Sequence, residues 1–89
     1  MLALNSMADL REKVTRYQML MRTTIERVES REDVRYSHDF MTMARSYYND
    51  GKYFFERGDL VNALVCFSYG HAWLDAGIRA GILFDRALQ

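Results

Sequence analysis

His71 and Asp75 stand four residues apart, with Arg79 four further on and Ser68 three before. On a helix that spacing puts the four side chains along one face. Imidazole and carboxylate are metal ligands and a guanidinium is an anion fork, so such a stripe could hold a divalent cation or an anion. His38-Asp39 forms a second pair that a bundle could bring across to the first. Two separated His/Asp pairs specify a metal far less than HExxH or paired CxxC spacings do. The better account is a half-buried, hydrogen-bonded polar stripe with Asp75 and Arg79 paired on its rim. His71, Asp75 and Arg79 are therefore the candidate ligand stripe; neither a metal nor another cofactor is expected.

Other reactive types are equally plain. Cys66 is the single cysteine, so no internal disulfide can form. It has no helix N-terminus or cluster of bases within sequence reach, which points to an inert packed thiol. Tyr47, Tyr48 and Tyr53 could stack on bases, yet aromatics at helical spacing usually form core. Neither His38 nor His71 has an arginine five residues before it, as an RxxxxH ribonuclease motif requires. No GxxxxGK or GxGxxG phosphate loop occurs. With no catalytic motif, a non-enzymatic protein is expected.

Composition bounds the rest. The 89 residues carry zero net charge, which lacks the electrostatic footprint of a nucleic-acid binder. The basic residues between Arg11 and Arg35 are interleaved with Glu12, Glu26, Glu29, Glu32 and Asp33, the pattern of a solvated helix face. The opening MLALNSMADL is too short and too weakly basic for a signal peptide. The run from Leu60 to Leu74 is uncharged but shorter than the roughly 20 apolar residues of a membrane span. A soluble cytoplasmic protein is expected, with partners that are neither nucleic acid nor membrane.

Three helices, at about 6–29, 31–57 and 60–83, must position these residues. Together they predict an all-α, antiparallel three-helix bundle forming one domain over 1–89, with a frayed start (1–5) and a tail (84–89). Ser6 caps the first helix, whose Met7, Leu10, Val14, Tyr17, Met21, Thr24 and Val28 recur at alternating threes and fours. Ser30 can cap the second, with Glu32 and Asp33 suiting its first turn; Ser37 is a later alternative start. The Gly58-Asp59 pair reads as a left-handed helix stop followed by an N-cap, which makes helices two and three antiparallel neighbours. Helix three carries a small-residue line, Ala63, Cys66, Gly70, Gly77 and Ala80, that invites close approach of another backbone. It has little polar surface, so part of it, or the adjoining face of helix two, is expected to be covered by another chain.

The run from Tyr47 to Gly81, YYNDGKYFFERGDLVNALVCFSYGHAWLDAGIRAG, resembles the signature of an archaeal family known as domain of unknown function number 357. Its marks are an aromatic-Asp-rich helix, a Lys/Arg-Gly-Asp turn, and a helix ending in Trp-Leu-Asp-Ala-Gly. Gly51 departs from the alanine that the resemblance leads one to expect. The resemblance implies an all-helical cytoplasmic domain and supplies no activity. YFFERGDLVNALVCFSYG also resembles a tetratricopeptide hairpin, but no second copy follows at the period of such arrays.

These features lead to an interaction module that forms a homodimer or docks on another protein. Its candidate interface is Tyr48, Phe55, Cys66, Tyr69, Gly70, Trp73 and Gly77. The alternative is a small-ligand or metal-binding domain using the polar stripe of helix three.

Overall fold

The computed structural model describes residues 6–88. Helix α1 spans Ser6–Arg27, strand β1 Val28–Ser30, α2 Ser37–Glu56, α3 Leu60–Arg79 and β2 Leu83–Asp85, before a 3₁₀ turn at Arg86–Leu88. The expected frayed segment 1–5 lies outside the described residues.

α2 and α3 form the tightest pair, and their turn follows the local signals. Gly58 sits at φ 78°, its N–H donates to the Phe55 carbonyl, and the Asp59 N–H reaches back to the Phe54 carbonyl. These paired bonds cover the last carbonyls of α2 with a residue that has no Cβ to clash. The Asp59 carboxylate then accepts from the Asn62 N–H at 3.3 Å and from Asn62 Nδ2 at 2.7 Å, capping α3. α1 packs across this hairpin with Val14, Met21 and Thr24 fully buried, while Met7 and Tyr17, on the same stripe, stay exposed. The core joins these to Met41, Ala44, Leu60, Ala63, Phe67 and Leu74.

Several helix boundaries differ from the expectation, and a small antiparallel strand pair departs from the all-α reading. Helix one ends at Arg27, not 29, and helix two starts at its later alternative, Ser37, not 31, because Val28–Ser30 pairs antiparallel with Leu83–Asp85, Val28 opposite Asp85 and Ser30 opposite Leu83. Burial of Val28 and Leu83 outweighs the weak local preference of 31–36 for helix. The Ser37 hydroxyl accepts from the Arg31 N–H at 2.7 Å and tethers the intervening turn. Tyr36 enters α2 at φ 68°, a left-handed conformation that costs a residue with a Cβ. Helix three ends at Arg79, not 83. Gly81, inside the expected bounds of helix three, instead takes φ 74° and stops it: the Gly81 N–H donates to the Ile78 carbonyl and the Ile82 N–H to that of Gly77. Both helix stops use one motif. Part of the expected tail is thus ordered as β2 and the 3₁₀ turn.

Candidate functional site

The polar stripe of α3 opens onto the end of the bundle where α1, α3 and β2 meet. The Arg79 Nε donates to both Asp75 oxygens, at 3.3 and 3.2 Å, with the two side chains 79% and 54% exposed. An ion pair so well solvated contributes little to stability. His71 is half-buried beside them, at a cleft of about 200 Å³ shared with Thr24, Arg27, Ile78 and Asp85. Ligand pockets usually begin near ~300 Å³.

The charged centre of that cleft is a pair no spacing rule could reveal. Asp85 is buried, and both its oxygens accept from Arg27 Nε at 3.1 Å. The Ala87 N–H donates to Oδ1 at 2.9 Å. That backbone bond first, and then the Arg27 guanidinium, hold the Asp85 carboxyl below the usual aspartate range against the opposing pull of burial. Arg86 pairs with Glu29 at 3.3 Å and donates to the Glu26 carbonyl, closing the corner. Thr24 donates to the Leu20 carbonyl at 2.7 Å. Among the described residues every buried side-chain polar atom has a partner, so none is left aimed at a ligand.

His38 and Asp39 lie exposed in the first turn of α2, at a separate hollow with Arg31, Glu32 and Tyr36. The two His/Asp pairs are not brought together. Among the described residues no three His, Cys, Asp or Glu side chains cluster as metal ligands would. The Cys66 thiol is buried, and burial pushes its pKa up, with the Asp50 and Asp59 charges adding to the rise. Thiolate, the reactive form, is thereby disfavoured. The tyrosines of α2 make no common platform either. Tyr47 packs on Tyr69 at 5.7 Å, Tyr48 on Phe67 at 5.9 Å, and Tyr53 lies under Arg57.

The candidate interface divides by burial. Gly70 and Gly77 are approached closely, but by this chain itself. A Cβ on Gly70 would stand 2.6 Å from Met21 Cε and 3.0 Å from Tyr47 Cβ; one on Gly77 would stand 2.6 Å from Leu83 Cδ1. Cys66 is buried beside them, so the small-residue line is filled from within. Tyr48 and Phe55 are half-buried, Phe55 beneath the Arg11 guanidinium. Trp73 packs edge-on against Phe40 at 4.8 Å. Tyr69 is 59% exposed. It belongs to an outward line that the sequence did not single out: Val61 (62% exposed), Val65 (44%), Ser68, Ala72 and Ala76. Their spacing of fours and threes was the available signal, but no charge marked the line as outer.

The family model described as "Protein of unknown function (DUF357)" matches residues 16–83. The chain belongs to this family. A crystal structure of another DUF357 protein, from Archaeoglobus fulgidus, is similar to it at 28% identity and a TM-score of 0.79, covering 91% of this chain and 99% of that one. No curated protein matches the chain. The DUF357 match reaches beyond the hairpin to the second half of α1 and the first residue of β2. No helix of this DUF357 chain, among the described residues, is long and apolar enough to cross a membrane.

Proposed function

We propose that this DUF357 chain is a non-enzymatic interaction module that self-associates through the outward face of α3. The observation that carries the proposal is the uncharged line Val61, Val65, Ser68, Tyr69, Ala72, about three turns of helix with large apolar groups in water. Scattered apolar side chains on a surface are ordinary, but a contiguous stripe on a helix is the feature by which helices recognise one another. The ligand-binding alternative has less behind it, since Arg79 already pairs with Asp75 and the neighbouring cleft is small.

Light scattering on a sizing column over a concentration series tests this. Dimer mass is expected for the native chain, shifting to monomer in Val65→Glu with the helical signal and melting curve retained. A native chain that stays monomeric at every concentration would defeat the proposal.

A further inference from the structure

The outward line of α3 is asymmetric along its length. Its first half presents Val61 and Val65, its second half Ala72 and Ala76, with Ser68 and Tyr69 between. Beyond each end comes charge: Asp59 at the N-cap and, in the last turn, the well-exposed Arg79 with its partner Asp75. Such a line is complementary to its own reverse. Laid antiparallel on a second copy, Val61 meets Ala76 and Val65 meets Ala72, large against small, and the register centres between Ser68 and Tyr69. The same register brings Arg79 of one copy to Asp59 of the other. A parallel arrangement would stack valine on valine and leave a gap between alanines. Close packing disfavours it.

Resting on the self-association proposed above, we infer that two copies pair by a two-fold axis crossing α3 at right angles near Ser68, with α3 antiparallel to its mate. A two-fold interface requires such a self-complementary patch. α1 supports the placement. Its exposed Tyr17 and Leu20 border the same hollow as Ser68 and His71, so they lie beside the axis, where each meets its own copy. The 20 residues of α3 make a helix about 30 Å long, and with α1 about 10 Å away the outward strip is on the order of 600 Å² per copy. That approaches the ~800 Å² per partner of a standard interface, and suits a dimer that dissociates on dilution.

Single cysteines in a Cys66→Ala chain, treated with a short bismaleimide at a concentration where the mass is that of a dimer, test the geometry. Ser68→Cys is expected to link to itself. Val61→Cys and Ala76→Cys each place their pair about 22 Å apart across the axis, out of reach, yet a mixture of the two should link one to the other. If Cys66→Ala melts early, Cys66 is kept and the native chain serves as the blank. Self-linking of Val61→Cys, or a dimer with no linkage at any of the three positions, would overturn the antiparallel arrangement while leaving self-association standing. A monomer throughout would overturn both.

Discussion

The inner and outer faces of α3 are built from the same kinds of residue and meet opposite fates. Inside, glycine faces bulk: Gly70 admits Met21 and Gly77 admits Leu83, while the α3 residue Phe67 fills the space left by Gly51 of α2. Outside, Val61, Val65 and Tyr69 stand in water with alanines beside them. What distinguishes the faces is not apolarity but whether small and large groups interlock. Inside they do so within one chain; outside, on the proposal made above, the same alternation would interlock with that of a second copy.

Substitutions at four positions sharpen or break that contrast. Phe67→Ala should have the largest effect, about 3–5 kcal/mol lost in urea denaturation, since the ring is fully buried at the hairpin centre. A loss below about 1 kcal/mol would mean that the inner face is not interlocked. Gly51→Ala comes next. Its methyl carbon would lie 2.4 Å from Phe67 Cε1, an overpacking worth roughly 1–3 kcal/mol against a helix gain of about 1. Phe67→Leu in the same chain should recover part of the loss, and strictly additive effects would deny the contact.

Asp85→Asn probes the corner that anchors the inner face. The native carboxyl titrates below its unfolded value, so its charge contributes stability above the ordinary aspartate range. That contribution is lost as pH falls through this range toward the folded value. Acid melts should therefore be less steep in the variant; identical pH profiles would remove the ion pair from the account. Smallest is Val61→Glu, expected to move monomer stability by no more than about 0.5 kcal/mol, since the residue already faces water. A large loss would show that the outer face is inner after all.

The Gly58-Asp59 turn was legible because every signal for it is local: a helix stop and a cap within adjacent residues. Gly81 carried the same local signal but sat in phase with the α3 stripe, which hid it. Ser30 and Ser37 offered alternative starts for helix two, and only the pairing of Val28–Ser30 with Leu83–Asp85 decides between them; the N-cap itself is Tyr36, which no cap rule favours. Strands of three residues leave no periodicity to read, and Arg27 with Asp85 are too distant along the chain for any spacing rule. Of the candidate site, the Asp75–Arg79 pair follows from helical spacing. The inner and outer lines of α3 could not be separated, because the stretch from Leu60 to Leu74 carries no charge to orient it. Gly51, a departure from the resembled pattern, has its reason in Phe67.

The pairing of β1 with β2 has a consequence for the order of folding. It closes a circuit around the whole α2–α3 hairpin, whereas the α2–α3 contacts begin across a three-residue turn. Short circuits close at lower entropic cost, so the hairpin should be organised at the rate-limiting barrier and the strand clasp fastened afterwards. Leu83→Ala is then expected to quicken unfolding and barely slow refolding in stopped-flow measurements, while Ala63→Gly in the hairpin slows refolding. The clasp would act as a brake on opening rather than a guide to assembly.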